Sequence, residues 1–190
     1  MNKNIDAIAP AFMVAFLITF SVIPLIISVA KRKKLLDAPG GRKIHKGFIP
    51  SLGGIGIFVG FISTMVMWSS FEQLASIKYV YVGILLMVFT GIRDDLLPMR
   101  AVSKLIWQIT AATTVVYFAD IRFTSLHGLF WVEQIPVWVS YPLSIFTIIV
   151  ITNAFNLIDG LNGLAGSIAL IVLATFGVWF YLTGEYAYVI

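Results

Sequence analysis

"AIAPAFMVAFLITFSVIPLIISVAKRKK" (Ala7–Lys34) runs from Ala7 to Ala30 without a charged side chain and then stops on four consecutive bases. As a helix, the uncharged stretch would reach ~36 Å, more than the ~30 Å hydrocarbon core of a bilayer. A cleavable leader carries a shorter apolar region, so this stretch is expected to be a retained span. Lys31-Arg32-Lys33-Lys34 reads as its stop-transfer signal.

The rest of the chain agrees with that start. Hydrophobic residues make up 59% of the 190 and charged residues only 12%, about half the charged share of a soluble domain. No soluble core could use so much apolar surface. The fold class expected is all-α: a polytopic transmembrane helical bundle forming a single integral-membrane domain over 1–190. About six spans can be drawn, at 7–30, 51–71, 77–92, 105–119, 135–158 and 161–183. Trp68, Tyr79, Tyr81, Trp131 and Trp138 fall near span ends, as an interfacial aromatic belt does. Gly56 and Gly60 are spaced for a close helix contact. The absence of cysteine excludes disulfides and thiolate metal sites. A net charge of +4 is not gathered into a basic block on a soluble domain, so nucleic acid is not an expected partner.

Charge placement gives the orientation. Ten of the thirteen Lys and Arg residues lie in 31–50 or between Arg93 and Lys104; Lys3, Lys78 and Arg122 are the remainder. The positive-inside rule then puts the N-terminus outside, with segments 31–50, 93–104 and 156–163 in the cytoplasm. Three polar, glycine-punctuated segments thus converge on one face.

Each segment carries groups that suit phosphate chemistry. In "FTGIRDDLLPMR" (Phe89–Arg100), Asp94 and Asp95 follow a short apolar run. A carboxylate at that depth costs about 2.5–3.5 kcal/mol unless paired, hydrated or bound to a cation. Adjacent carboxylates also raise the pKa of one member. Lys104, near the start of the next span, is placed to meet a phosphate. In "TNAFNLIDGLNGLAGS" (Thr152–Ser167), Asn153, Asn156, Asp159 and Asn162 recur every third residue. On one helix they would form a stripe of hard oxygen donors suited to Mg²⁺. Gly160, Gly163 and Gly166 let the backbone turn there. In "DAPGGRKIHKGFIPSLGGIGIF" (Asp37–Phe58), Arg42, Lys43, His45 and Lys46 are bracketed by Gly and Pro. Acids for a divalent metal, fixed cations and a lipid surface at one depth suit phosphoryl transfer from a soluble nucleotide to a lipid.

Together, "GGRKIHKGFIPSLGGIGIF", "GIRDDL…K" and "NAFNLIDGLNGLAG" resemble the polyprenyl-phosphate N-acetylhexosamine-1-phosphate transferases. The R-K-x-H-x-G-x-I-P-x-x-G-G form is nearer the common-antigen and teichoic-acid initiators than the lipid I enzyme. The resemblance implies transfer of HexNAc-1-phosphate, with GlcNAc the expected sugar, from a UDP-HexNAc to polyprenyl (undecaprenyl) phosphate. UMP is released, and cell-envelope polysaccharide synthesis begins at the cytoplasmic face of the bacterial inner membrane. It implies Mg²⁺, for which Mn²⁺ can substitute, with Asp94, Asp95 and Asn156 as its ligands. Asp94, Asp95 and Asp159 are the implied catalytic residues. Lys104, Gly160, Leu161, Asn162, Arg42, His45 and Lys46 are the implied substrate contacts; a homodimer is compatible. Asn162 stands where bacterial members usually carry Asp, which bears on donor choice. Family members have ten or eleven spans, so this chain is expected to be the front of a longer protein and not to complete the enzyme alone. The rival reading from these residues is a transporter with ion- or proton-coupling Asp residues, for which midplane sites are expected.

Overall fold

The computed structural model describes residues 3–33, 35–37, 49–50, 52–159, 163–185 and 188–189. Helices dominate: α1 (Lys3–Arg32), α2 (Gly53–Trp68), α3 (Phe71–Ser76), α4 (Lys78–Leu96), α5 (Ala101–Thr113), α6 (Val137–Ile158) and α7 (Leu164–Thr183). Three of the described helices, at Asp6–Arg32, Val137–Ile158 and Leu164–Thr183, are long and apolar enough to cross a membrane. At 16 residues, α2 is shorter, and α4 ends on the charged run Arg93-Asp94-Asp95. Two helix ends shift from the expected spans. α4 continues to Leu96, so both acids lie on its last turn, and α5 begins at Ala101, which puts Lys104 inside a helix.

The exterior and interior explain one another. Large apolar side chains face outward, among them Phe12, Phe20, Leu170, Leu173 and Leu182. Most of the buried residues among those described are small or polar (Ala11, Ala30, Ala111, Ala112, Thr64, Thr90, Gln108, Ser140 and Ser144), with Met65, Val116 and Ile135 the larger apolar ones. In water this distribution would leave large apolar patches bare. In lipid it is the expected arrangement, because helices there gain by close backbone approach and interhelical hydrogen bonds. Hydroxyls on the helices bond back to the preceding turn, as Thr64 Oγ1 does to Gly60 O (2.9 Å) and Thr90 Oγ1 to Leu86 O (2.6 Å). Each such bond satisfies its hydroxyl inside hydrocarbon.

The chain divides into two compact units. Unit 1 comprises Met1–Leu74 and Ile158–Ile190, and unit 2 Ala75–Leu157. In unit 1, α1 packs on α2 through the paired glycines. A methyl placed on Gly60 would overlap Thr19 Oγ1 and come within 2.8 Å of Ala15 O; one on Gly56 would lie 2.9 Å from Ile23 Cγ1. Past α1, Leu36–Asp37 (β1) pairs antiparallel with Ile49–Pro50 (β2), Leu36 opposite Pro50 and Asp37 opposite Ile49. This pair ties together the two ends of the glycine-rich basic segment.

Unit 2 is built on α4, α5 and α6. Gly83 of α4 lets α5 come close, since a methyl there would lie 3.3 Å from Ala111 O and collide with Val115 Cγ2. Beyond Thr113 the helix widens into a π-helical turn over Thr114–Phe118. Tyr79, Phe118, Tyr117 and Tyr141 then follow one another in ring contacts of 5.4–5.8 Å. The connection to α6 is ordered by a polar network. Arg122 Nε donates to Asp120 Oδ1 at 2.6 Å and its NH1 to Ser140 Oγ at 3.1 Å. The guanidinium also lies 5.0 Å over the Tyr141 ring. Phe123 N–H donates to Ser144 Oγ at 2.9 Å, and Ser140 Oγ donates to Phe123 O. Hydrogen bonding to Arg122 holds the Asp120 carboxyl below its usual range and raises the guanidinium correspondingly.

Candidate active site

The carboxylates reach their places because α4 does not stop where its apolar run stops. Residues 94 and 95 differ by about 100° around the helix axis, and the structure gives them different surroundings. Asp94 Oδ1 accepts from the Met99 backbone N–H at 2.8 Å, closing the turn after the helix. Asp94 Oδ2 accepts from Lys104 Nζ at 3.1 Å, with 28% and 26% of the two side chains exposed. The Pro98-containing link of 97–100 is short enough that Lys104, in the first turn of α5, folds back over the end of α4. Asp95 is exposed.

The charge state of Asp94 follows from these contacts. Burial alone would push its carboxyl upward. The Met99 N–H, the Lys104 hydrogen bond and the Lys104 charge together outweigh burial and hold the pKa below the ordinary carboxylate value. Adjacency of the two acids predicts that one is raised; Asp94 is lowered, because the Met99 N–H and then the Lys104 ammonium reach it.

The third-residue polar stripe is also revised. α6 ends at Ile158, so Asp159 lies in the following turn and the four residues do not share one helix. Asn153 is turned to α5, where it exchanges hydrogen bonds with Gln108 at 2.9 and 3.3 Å. Asn156, on the last turn of α6, is exposed, and so is Asp159. Asp159 belongs to unit 1, whereas Asp94, Asp95, Lys104 and Asn156 belong to unit 2. Gly163 takes a φ of 74° at the start of α7, a left-handed conformation that favours glycine. Arg42, His45, Lys46, Gly160, Leu161 and Asn162 lie outside the described residues. Gln108 is the residue that sequence reasoning passed over. A lone glutamine four residues after Lys104 in an apolar helix was the signal for it.

The donor set fits Mg²⁺. That ion takes hard oxygens, retains waters and is usually held by one or two carboxylates together with substrate phosphates. Asp95 offers an exposed carboxylate, and Asn156 an exposed carboxamide. Asp94 offers a carboxylate that accepts from Met99 N–H and Lys104 Nζ. Among the described residues, no group of three or more His, Cys, Asp or Glu side chains converges.

Comparison with known proteins gives the family. The family model described as "Glycosyl transferase family 4" matches residues 77–190. A probable undecaprenyl-phosphate N-acetylglucosaminyl 1-phosphate transferase of Bacillus subtilis (strain 168) is 31% identical over 179 residues, 94% of this chain and 49% of its own length. An undecaprenyl-phosphate alpha-N-acetylglucosaminyl 1-phosphate transferase of Escherichia coli (strain K12) is 28% identical over 184 residues, 96% of this chain and 49% of its own. A protein of that same description from Salmonella typhi is 30% identical over 172 residues, covering 90% and 46%. The chain spans about half the length of the curated relatives it matches.

Proposed function

Because this chain belongs to glycosyl transferase family 4, and with it to the polyprenyl-phosphate N-acetylhexosamine-1-phosphate transferases, we propose that it takes part in transfer of GlcNAc-1-phosphate from UDP-GlcNAc to undecaprenyl phosphate. The reaction takes place at the cytoplasmic face of the bacterial inner membrane and begins a cell-envelope polysaccharide. In this reading the chain contributes six spans, with the N-terminus outside. The observation that carries it is the end of α4: an exposed Asp95 beside an Asp94 that Lys104 and Met99 N–H hold in the ionised form. The transporter reading is not favoured by the relatives, whose names describe transferases.

The transfer is a phosphoryl displacement. An oxygen of the lipid phosphate attacks the β-phosphorus of the UDP-sugar, the bond from that phosphorus to the bridging oxygen breaks, and UMP leaves. Positioning and charge stabilisation carry most of the catalysis in such reactions. Lys104 contributes a fixed cation toward the phosphate oxygens, and its contact with Asp94 keeps that cation at the end of α4. Asp95, exposed on the last turn of α4, is the carboxylate that meets a metal or takes the lipid phosphate proton. Asp94, Asp95 and Asn156 would hold Mg²⁺, which would supply positive charge to the phosphate oxygens. Asp159 is assigned to the diphosphate as a catalytic residue, and Gly160, Leu161 and Asn162 to the nucleotide base.

Membranes carrying the whole reading frame, given β-phosphate-labelled UDP-GlcNAc, undecaprenyl phosphate and Mg²⁺, test the reading. Label should enter butanol as UMP is released. EDTA and Asp95→Asn should each abolish the transfer, and Mn²⁺ should restore it after EDTA. A folded full-length protein that moves no label from any of several UDP-sugars overturns the proposal.

A further inference from the structure

Gln108 and Asn153 form a reciprocal amide pair inside unit 2. Gln108 Nε2 donates to Asn153 Oδ1 at 3.3 Å, and Asn153 Nδ2 donates to Gln108 Oε1 at 2.9 Å. Asn153 Nδ2 also donates to Ile149 O at 2.9 Å, which fixes its rotamer against its own helix. Gln108 is only 3% exposed. Two carboxamides facing each other in this way accept little sliding or rotation, since either motion breaks both bonds at once. An apolar contact of equal size would hold α5 and α6 together just as well but would leave their mutual rotation looser. Hydrogen bonds between membrane helices add only modestly to association. What this pair supplies is register.

Its position gives that register a use. Gln108 lies one turn after Lys104 on α5, on the same face at i+4. Asn153 lies three residues before Asn156 on α6, again on a shared face. A continuous set of contacts therefore runs from Asp94 through Lys104 and α5 to the amide pair, and along α6 to Asn156.

We propose that Gln108 and Asn153 are positioning residues for the transfer, setting Lys104 on α5 against Asn156 on α6. The inference rests on the transferase reading above. Neither residue touches the reacting phosphates; each acts through the helix that carries a group that does. A displacement of about 1 Å in such a site costs about 100-fold in rate.

Two double variants of the full-length protein test it, assayed beside wild type per folded molecule in the same detergent. Gln108→Met with Asn153→Leu replaces the pair by apolar side chains of similar size. Gln108→Asn with Asn153→Gln exchanges the amides and keeps the summed side-chain length. The apolar variant should hold its thermal midpoint within a few degrees while kcat falls about 10–100-fold, with KM for the UDP-sugar changed by less than about threefold. The exchange variant should recover most of that kcat. An apolar variant with wild-type kcat overturns the proposal, as does a folded exchange variant whose kcat stays low. Should the apolar variant not fold, the exchange variant decides alone by the same criterion. Wild-type transfer in the same preparation separates the two levels. Its absence overturns the transferase reading, whereas its presence with full activity in the apolar variant overturns the positioning role alone.

Discussion

Removing the Lys104 charge should affect stability and rate by very different amounts. In Lys104→Met the apolar stem remains, so the loss is confined to the ammonium that sits 3.1 Å from Asp94 Oδ2. At an effective dielectric of about 20, a charge pair at that distance attracts by ~5 kcal/mol before desolvation and side-chain ordering are subtracted. With roughly a quarter of each side chain still in contact with solvent, most of that is offset, leaving ~1 kcal/mol of stability. Met99 N–H still anchors Asp94, so the turn should survive. Loss of a fixed cation from a phosphoryl-transfer site costs more, ~3 kcal/mol or 100- to 1000-fold in rate, by analogy with removing one oxyanion donor. Initial rates of labelled-lipid formation and thermal midpoints, measured on one detergent preparation, give both numbers. Lys104→Arg should keep most of the stability and recover only part of the rate, because a planar fork replaces a point charge. A Lys104→Met enzyme within about fivefold of wild type would refute the reasoning, for Lys104 would then do no more than hold Asp94.

Three further outcomes are expected. The folded-state pKa of Asp94 lies below its unfolded value, so its stabilising contribution is complete above pH ~4 and lost as pH falls through the folded value. The difference in thermal midpoint between wild type and Asp94→Asn should accordingly stay flat from pH 8 to pH 5 and shrink only in stronger acid. Gly60→Val should destabilise by ~1–3 kcal/mol, since its Cβ would meet Ala15 O and Thr19 and force α1 and α2 apart. Gly91→Ala, with nothing within 4 Å of its Cβ, should be neutral or slightly stabilising in the same melt. Arg122→Gln should lower the midpoint by loosening Asp120, Ser140 and Tyr141 while leaving KM for the UDP-sugar unchanged, as a Michaelis plot will show.

Local signals in the chain were readable, and pairings over long separations were not. The apolar run of 7–30 predicts α1, and the spacing of Gly56 and Gly60 predicts the close α1–α2 contact, because each depends on residues a few positions apart. Asp94 and Lys104 could be placed on either side of one short helix connection from hydropathy and charge alone. Their different fates could not, since what separates Asp94 from Asp95 is the direction of two side chains on the last turn of α4. The four-residue polar stripe assumed that the helix continued, but α6 ends at Ile158 before the turn containing Asp159. Asn153 found a partner 45 residues earlier in Gln108, a distance over which no periodicity reports. The same holds for Arg122, whose hydroxyl partner Ser140 lies on the next helix.

The π-helical turn at Thr114–Phe118 has a consequence for how length changes are tolerated. A π turn accommodates one residue more than an α turn over the same rise, so it acts as a phase shift of about 100° between the residues on its two sides. Upstream, Lys104 and Gln108 meet partners on α4 and α6; in the last positions of the π turn, Tyr117 and Phe118 meet Tyr141 and Tyr79. A single deletion within 114–118 would restore ordinary winding and set one of these two faces out of phase with its partners. A deletion and a compensating insertion on either side would swing the intervening residues out and back. The segment is thus the place in unit 2 where chain length, rather than side-chain identity, is under constraint.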